Sequence, residues 1–519
     1  MHSGWSAVGR VRVNRQFRTL PDTGELPRAL YSAAQVREFD RLATTRFGIS
    51  GTELMERAGQ AAWSLLRERW PDARRVLVLT GTGNNGGDGF VVARLAQAEG
   101  LSVRVLQLGD RSRLSGDALS NAGRWSASGG SWDDFTGELP ASDVIVDAML
   151  GTGLERNVEG PWRKAIEAVN ASRLPCLALD IASGLHADSG RVMGAAIRAA
   201  VTITFIGLKL GLYTADGPDC SGVVHFDGLG LPAQVYASTV LSARRIDWRK
   251  QSTQFTPRAR NSHKGHFGHV LVIGGNHGMG GAARLASEAA LRVGAGRVSL
   301  ATRSQHVAAV LAARPEIMVH AVEAGTQIDD LLRQASVIAI GPGLGSDDWA
   351  RALWERARAA ERPLVVDADA LRLLAFEPTR RDDWILTPHP GEAAALLGVC
   401  TAEIGSQRLD AARQLQRRFG GSVVLKGVGS IIASAGNTPP AICSDGNPGM
   451  ASAGMGDVLT GVIAGLLAQV GDVRDAAESG VCLHAAAGDA AACSGERGLL
   501  AGDLLAWLRS LVNPEIPHA

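Results

Sequence analysis

A segment rich in glycine and asparagine, residues 80–89, contains the densest group of residues able to contact a ligand. It reads Thr-Gly-Thr-Gly-Asn-Asn-Gly-Gly-Asp-Gly and follows the apolar run 75–79, which predicts a buried strand. Helical periodicity resumes at Phe90, so we expect a loop between a strand end and a helix start. Free backbone N–H groups and the helix dipole favour an anion there. We interpret the small polar residues as ligand-binding, since they offer nothing to packing.

Two further strand ends in the first half carry an acid followed by small residues. They are Val-Asp-Ala-Met-Leu-Gly-Thr-Gly-Leu, with Asp147, and Leu-Asp-Ile-Ala-Ser-Gly, with Asp180. One such acid is commonly a helix or turn cap, but three strand ends in register indicate one shared pocket. Asn85, Asp147 and Ser183 offer hard oxygens suited to K⁺, Na⁺ or Mg²⁺. Asp180 is then the candidate general acid or base.

Two common nucleotide-binding fingerprints fit this sequence poorly. Gly81, Gly83 and Gly86 have the spacing of a dinucleotide motif. However, the polar residues among them should prevent the close helix–strand packing that the motif needs. The dipeptide Gly-Lys is absent from the sequence, which excludes a P-loop. Any nucleotide chemistry must therefore use another fold.

The strongest motif of the second half is Asn-Pro-Gly-Met-Ala-Ser-Ala-Gly-Met-Gly-Asp-Val-Leu-Thr-Gly, residues 447–461. It places Asp457 at the start of an apolar helix, where free amide groups and the dipole can hold a phosphoryl group. We expect the same field to lower the pKa of Asp457. The carboxylate would then accept a hydroxyl proton during phosphoryl transfer. The alternative is a simple helix cap.

Four other strand ends support a ligand site in the second half. Residues 274–282 and 341–345 are glycine-rich, residues 387–392 place His389 and Glu392 at one turn, and residues 426–430 place Lys426 beside mobile backbone. A lysine and a hydroxyl next to glycines suit nucleotide phosphates. A proline-flanked histidine such as His389 is otherwise often a surface turn residue.

The composition is that of a globular chain with more than one domain. The chain has 519 residues, 45% hydrophobic and 20% charged, with a net charge of +1, so two domains are expected. Nucleic acid and anionic membrane are poor candidates as partners. The six cysteines form no metal-type pairs, and no signal-peptide core or membrane-spanning segment is evident. We expect a cytoplasmic protein.

Apolar strand-like runs alternate with helical ones in both halves, which predicts an α/β fold with parallel sheets. We interpret residues 1–30 as an irregular extension and residues 236–255 as a linker, because the alternating pattern is lost there. The two domains are then residues 31–235 and 256–519. Ligands in such sheets bind beyond the carboxyl ends of the strands, so each domain should have its own site.

The motifs of the first half resemble the NAD(P)H-hydrate epimerase domain over about residues 31–230. The resemblance implies a Rossmann-like three-layer sandwich that interconverts the R and S epimers of hydrated NAD(P)H. It implies K⁺ on Asn85, Asp147 and Ser183, with Asp180 at the reacting ring. Ala182 stands where the family usually has proline, which removes no functional atom. The residues expected to contact the hydrated dinucleotide are Asn84, Asn85, Gly86, Gly87, Asp88, Gly151, Thr152, Gly153, Leu154, Glu155, Arg156, Asn157 and Asp180.

The second half resembles NAD(P)H-hydrate dehydratase, of the ribokinase-like superfamily, over about residues 255–512. The resemblance implies phosphorylation of the S hydrate and loss of phosphate, with catalytic Asp457 and with Glu392 near Mg²⁺. The fused arrangement implies ADP as donor, giving AMP and phosphate, although the motifs do not decide between ADP and ATP. The residues expected to contact the hydrate are Ala282, Gly343, His389 and Asp457. Those expected to contact the nucleotide are Lys426, Gly427, Val428, Gly429, Ser430 and Gly456.

The fusion has a chemical logic, because in-line transfer needs one configuration of the hydroxyl and the epimerase would supply it. The substrates are then NADHX and NADPHX, the hydrated forms of NADH and NADPH. Enzymes of this type often assemble, so we expect a homo-oligomer. Two alternatives stay open from sequence: a vitamin-precursor kinase in the second half, and a non-enzymatic binding scaffold in the first.

Overall fold

The computed structural model describes residues 26–237 and 239–513, and its strands and helices are numbered here in chain order. The strands of the first half are β1 (Ala29–Tyr31), β2 (Arg75–Thr80), β3 (Ser102–Gln107), β4 (Trp132–Asp134), β5 (Val144–Ala148), β6 (Cys176–Leu179), β7 (Val201–Phe205), β8 (Leu208–Lys209) and β9 (Val223–Asp227). The helices are α1 (Ala33–Phe47), α2 (Gly51–Arg69), α3 (Asn84–Ala98), α4 (Gly116–Ala127), α5 (Gly160–Ser172) and α6 (Gly217–Ser221).

Seven of these strands form a parallel sheet in the order β4-β3-β2-β5-β6-β7-β9. The strand order reverses between β2 and β5, which is the switch point where doubly wound sheets bind ligands. The loops that follow β2 and β5 therefore leave the sheet at the same crevice. This is the Rossmann-like arrangement expected from the sequence.

Both faces of this sheet are covered. Along β2, Val76 and Val78 enter one hydrophobic cluster, while Leu77 and Leu79 enter another. Successive strand residues point to opposite faces, so the sheet separates two apolar layers. The first half is therefore the three-layer sandwich that the sequence predicts.

The second half continues the numbering with ten strands and twelve helices among the described residues. The strands are β10 (Ala243–Ile246), β11 (His269–Ile273), β12 (Arg297–Thr302), β13 (Met318–Ala321), β14 (Val337–Ile340), β15 (Leu364–Val366), β16 (Trp384–Leu386), β17 (Ser422–Leu425), β18 (Ser430–Ser434) and β19 (Ala441–Cys443). The helices are α7 (Trp248–Gln251), α8 (Gly280–Arg292), α9 (Val307–Ala313), α10 (Asp329–Gln334), α11 (Asp348–Ala359), α12 (Ala368–Phe376), α13 (Pro390–Leu397), α14 (Thr401–Ser406), α15 (Arg408–Phe419), α16 (Met455–Val470), α17 (Val473–Ala492) and α18 (Ala501–Val512).

The second sheet has the order β13-β12-β11-β14-β15-β16-β17-β18-β19-β10-β1-β8. Its first seven strands are parallel, and β18 is antiparallel to both of its neighbours. The switch point lies between β11 and β14, so the glycine-rich loops after these strands share one edge. Within the described residues, none of the helices has the length and apolarity needed to span a bilayer.

The far edge of the second sheet joins the two halves and corrects two sequence predictions. Strand β1 lies within the predicted extension and pairs with both β10 and β8. Strand β10 lies within the predicted linker and pairs with β19. The prediction of irregular chain is wrong at these strands, because short strands stabilised by long-range pairing leave no local pattern. Residues 1–25 of the predicted extension lie outside the described residues.

Candidate active sites

The segment predicted as a ligand loop after β2 begins helix α3 instead. Gly83 is the N-cap, and Asn84 is the first helical residue. A Cβ at Gly86 would overlap the carbonyl oxygen of Gly81, and one at Gly89 would lie 2.6 Å from the Cβ of Ala148. The glycines therefore allow α3 to pack closely on β2 and β5. The sequence interpretation that they serve no packing purpose, and that close packing fails here, is wrong.

A cleft of ≈750 Å³ elsewhere has no predicted residue in its wall, but a larger one of ≈1010 Å³ lies at the first switch point. Gly86 and Gly87 are buried in α3 and do not line this larger cleft, because they contact protein atoms instead. Asp40 of α1 lines it and was missed by the sequence analysis. The predicted residues that line it are Asn84, Asn85, Asp88, Gly151, Thr152, Gly153, Leu154, Glu155, Arg156, Asn157 and Asp180.

Asp180 lies in this cleft in a backbone conformation that favours glycine, with φ of 65°. Its Oδ1 accepts hydrogen bonds from the ammonium of Lys209 and, at 3.2 Å, from the Phe205 N–H. Lys209 is fully buried and also donates to Thr204 Oγ1 and Phe205 O, each at 2.9 Å. Such strained residues cluster at active sites. Lys209 was missed, although it follows a strand in a chain with only five lysines.

Two further carboxyls share the cleft with this ion pair. Burial raises the pKa of Asp40 to about 6, and the charge of Asp180 adds to the rise. Burial, with Asp180 and Asp40, raises the pKa of Asp88 well above its usual range. The cleft therefore combines a protonated carboxyl, Asp88, with a lysine-paired carboxylate, Asp180. Such a pair can give and take a proton at neutral pH.

Beneath the cleft, Asp147 and Ser183 are fully buried and bonded to each other. The Asp147 carboxylate accepts from Ser183 Oγ at 2.6 Å and from Ser183 N at 2.8 Å. Burial raises the pKa of Asp147 to about 6, although these hydrogen bonds act to lower it. The Oδ1 of Asn85 is buried without a hydrogen-bond partner, and its amide nitrogen donates to Leu150 O. An unpaired carbonyl beside a buried acid suits a cation with oxygen ligands.

In the second half, Asp457 lies in the first turn of α16, as predicted. The predicted lowering of its pKa is wrong. Burial raises the pKa of Asp457 to about 6, and the negative charge of Asp367 adds to the rise, while Lys426 opposes it. Loss of hydration and a like charge therefore outweigh the helix dipole. A carboxyl with this pKa is still mostly ionised at neutral pH.

Lys426 lies between carboxylates under the start of α16. Its Nζ donates to Asp367 Oδ1 at 2.6 Å and lies 3.9 Å from Glu392 Oε2. Burial acts to lower the pKa of Lys426, but the two carboxylates outweigh it and the pKa is raised. Asp367 is almost fully buried and also accepts from Thr460 Oγ1 at 2.7 Å. The sequence analysis missed Asp367, although it follows the apolar strand β15.

His389 and Glu392 form a reciprocal cap at the start of α13. The Nδ1 of His389 accepts from Gly391 N at 3.0 Å, and the Glu392 carboxylate accepts from His389 N at 2.8 Å. The His389 ring is half exposed, and its Nε2 lies 3.3 Å from Glu392 Oε1. Burial raises the pKa of Glu392 to about 7. Capping is thus one role of His389, and the exposed part of its ring leaves room for a ligand contact.

The remaining predicted residues of the second site lie around Asp457. A Cβ at Gly343 would lie 3.3 Å from Ala282 Cβ, so the ends of β14 and the start of α8 meet. Likewise, a Cβ at Gly454, the N-cap of α16, would lie 2.9 Å from Leu285 of α8. Gly456 faces the Lys426 ammonium at a similar range, 3.4 Å from a Cβ built on it. The four strand-end segments therefore converge with α16 on one region.

Two family models match the chain. The model described as YjeF-related protein N-terminus matches residues 51–211, and the model described as NAD(P)H-hydrate dehydratase matches residues 270–509. The bifunctional NAD(P)H-hydrate repair enzyme Nnr of Coxiella burnetii is 48% identical over 93% of this chain and 99% of its own. The enzyme of that name from Escherichia coli is 44% identical over 95% of each chain. The ADP/ATP-dependent NAD(P)H-hydrate dehydratase of Bacillus subtilis, co-crystallized with ATP/Mg²⁺, is 28% identical over 52% of this chain and 98% of its own, with a TM-score of 0.48.

The fold and the two sites define a two-domain α/β enzyme in which a Rossmann-like domain is joined to a ribokinase-like domain. Relatives that match nearly the whole chain make the assignment more specific. The chain belongs to the family of bifunctional NAD(P)H-hydrate repair enzymes. This confirms the predicted fold class and the predicted pairing of an epimerase with a dehydratase. It argues against both alternatives, the vitamin-precursor kinase and the binding scaffold.

Proposed function

We propose that residues 31–235 epimerise hydrated NAD(P)H and that residues 256–519 dehydrate its S form with ADP as phosphoryl donor. The observation that carries the proposal is the position of Asp457, half-buried at the start of α16 beside the Lys426–Asp367 ion pair. A carboxylate beside free amide groups and a lysine suits proton acceptance during phosphoryl transfer.

In the first cleft, epimerisation needs a proton for the departing hydroxyl and a base for the returning water. Asp88, protonated at neutral pH, is placed to donate, and Asp180, paired with Lys209, is placed to accept. The ring nitrogen lone pair drives the C–O bond to break, and water is released. Water then adds to the opposite face of the ring, which restores the hydrate in the other configuration.

The first domain is proposed to bind K⁺ through Asn85, Asp147 and Ser183. The support is the unpaired Asn85 Oδ1 and the buried Asp147 carboxylate beside it. A bound cation would favour the ionised form of Asp147 and fix the turn after β5, where residues 151–157 line the cleft. The ion would act by ordering this turn and not by entering the reaction.

In the second site, Asp457 takes the hydroxyl proton of the S hydrate as the hydroxyl oxygen attacks the β-phosphorus of ADP, which releases AMP. Lys426 is placed to neutralise charge on the transferring group, with residues 427–430 and Gly456 around the nucleotide. The ring nitrogen lone pair then expels phosphate, and loss of the neighbouring carbon's proton restores NAD(P)H. Phosphate leaves far more readily than hydroxide, so phosphorylation makes the dehydration feasible.

Ala282, Gly343 and His389 are proposed to hold the hydrate near Asp457. Mg²⁺ is commonly held by one or two carboxylates together with substrate phosphates. Glu392 fits one such carboxylate, because its raised pKa shows a buried acid that gains from a nearby cation. The described residues contain no cluster of three acidic, histidine or cysteine side chains for a metal. The phosphates would therefore supply the other ligands.

Asp457→Asn should abolish dehydration and leave epimerisation intact. The measurement combines recovery of reduced-nicotinamide absorbance, release of inorganic phosphate, and chromatography of the two epimers. Equal dehydration by Asp457→Asn and the parent would reject the role. A stable phosphorylated product without free phosphate would indicate a kinase instead.

Asp180→Asn should slow the use of the R epimer only, because the S epimer needs no conversion. Purified R and S hydrates are supplied separately with ADP, and the dehydration rate with S serves as the internal control. Normal consumption of both epimers by Asp180→Asn would count against the assignment.

We also propose a cytoplasmic location, since all six cysteines are free thiols and suit a reducing compartment. The proposed partners are the small molecules NADHX, NADPHX and ADP. The expected homo-oligomer stays a prediction, which light scattering on the purified chain would test.

A further inference from the structure

The proposed nucleotide loop, residues 426–430, lies directly against the first half of the chain. The carbonyl oxygen of Val428 accepts from Ala215 N and from Thr214 Oγ1, each at 3.4 Å. Gly429 has a φ of 63°, and a Cβ there would overlap the carbonyl oxygen of Tyr213. The loop therefore rests on the segment 213–215, which follows β8.

One buried guanidinium links this segment to both ends of the loop. Arg408, the first residue of α15, is only 6% exposed. Its Nε donates to Thr214 Oγ1 at 3.0 Å, and its terminal nitrogens donate to Gly429 O at 3.2 Å and to Lys426 O at 3.4 Å. Burial lowers the pKa of Arg408 to about 10. It remains charged at neutral pH, so these are charge-assisted bonds.

The geometry of these contacts fixes the shape of the loop. The carbonyls of Lys426 and Gly429 must both turn towards Arg408, so the N–H groups between them are free to face a ligand. Thr214 is 1% exposed and holds the guanidinium by its Nε edge. Without the hydroxyl, a buried donor would lose its partner, at roughly 1–3 kcal/mol.

We propose that Arg408 and Thr214 are positioning residues for nucleotide binding, so that the first domain completes the nucleotide site of the second. Neither residue touches the reacting atoms. Thr214 lies five residues after Lys209 of the epimerase cleft, on the segment that leaves β8. This inference rests on the proposed placement of the nucleotide at residues 426–430.

The test is Thr214→Val, which removes the hydroxyl and keeps the shape of the side chain. We expect the KM for ADP to rise about ten-fold, which corresponds to about 1.4 kcal/mol. The kcat at saturating ADP and the epimerisation rate should stay within about two-fold, since the chemistry is untouched. Thr214→Ser, which keeps the hydroxyl, should restore the parent KM.

Arg413→Gln is the matched control on the same helix. Arg413 reaches out of α15 to Ser242 O at 2.7 Å, and no bond from it to the nucleotide loop is found among the described residues. Its KM for ADP should match the parent. Thermal unfolding of each variant separates a loss of fold from a loss of nucleotide affinity.

Lys426→Met separates this inference from the proposed function. If Lys426→Met raises the KM for ADP but Thr214→Val leaves it within about two-fold, the positioning role is wrong and the nucleotide site stands. The role is also wrong if Thr214→Ser is as impaired as Thr214→Val, or if Arg413→Gln is equally impaired. If Lys426→Met leaves the KM unchanged, the nucleotide binds elsewhere and both proposals fall.

Discussion

Dehydration should slow on the acidic side of neutrality, because Asp457 must be ionised to accept a proton. Burial raises the pKa of this carboxyl to about 6. A group with that pKa is roughly nine-tenths ionised at pH 7 and roughly one-tenth ionised at pH 5. If the ionised fraction limits the chemical step, kcat falls about ten-fold over this interval. A surface aspartate with an ordinary pKa would lose almost nothing.

Glu392 must be separated from Asp457 in this experiment, because burial raises its pKa to about 7 in the same site. Glu392→Gln removes this second titration. Glutamine can also accept the N–H of His389 in a capping box, so the start of α13 should stay formed. Any acidic limb that remains in Glu392→Gln then belongs to Asp457.

The assay supplies purified S hydrate with saturating ADP and Mg²⁺ and follows recovery of reduced-nicotinamide absorbance from about pH 8 to about pH 5. Using the S form removes epimerisation from the measured rate. The expected profile for Glu392→Gln has a midpoint near pH 6, and Asp457→Asn provides the inactive baseline. A rate that stays level down to pH 5 would refute the role of Asp457 as the base in this environment.

The remaining predictions concern a cation, a glycine and two lysines. Folding raises the pKa of Asp147 from 3.8 to about 6, so this group stabilises the fold below pH 4, and the contribution, roughly 3 kcal/mol, is lost as the pH rises through 6. K⁺ should offset that loss, so it should raise Tm more at pH 8 than at pH 5, and Asp147→Asn should abolish the difference. Gly86→Ala should destabilise by about 1–3 kcal/mol in denaturant unfolding, whereas Gly83→Ala, with open space around its Cβ, should not. Lys209→Arg should impair only epimerisation and Lys426→Arg only dehydration, because a guanidinium is too large for either buried site; parent rates in both would contradict this.

Most of the sheet architecture could be predicted from sequence because buried parallel strands are short, nearly continuous apolar runs. The predicted runs at 75–80, 144–148 and 337–340 coincide with β2, β5 and β14. Glycines and acids after such runs mark strand ends, and parallel strands place those ends at one edge. The two candidate sites follow from this rule alone.

The missed features depend on partners far away in the chain. Strands β1, β8 and β10 have two to four residues each, too few to show alternation. Asp40 and Asp367 look like ordinary helix and strand-end acids until the fold places them beside other carboxyls. The pKa of Asp457 was predicted in the wrong direction because the helix dipole is local, whereas desolvation and the charge of Asp367 are tertiary effects.

Both sites solve the same electrostatic problem in the same way. In each, one lysine is paired with one carboxylate, Lys209 with Asp180 and Lys426 with Asp367. Burial raises the pKa of other carboxyls nearby, including Asp457.

An acid and a base can therefore coexist at one pH, as a proton-transfer site requires. Arginine supplies 48 of the 53 basic residues of this chain, yet lysine is present at both positions. A compact ammonium fits between buried carboxylates, and a planar guanidinium with five donors does not. In a chain so poor in lysine, a buried lysine after an apolar strand is therefore a stronger indication of a functional site than the glycines around it.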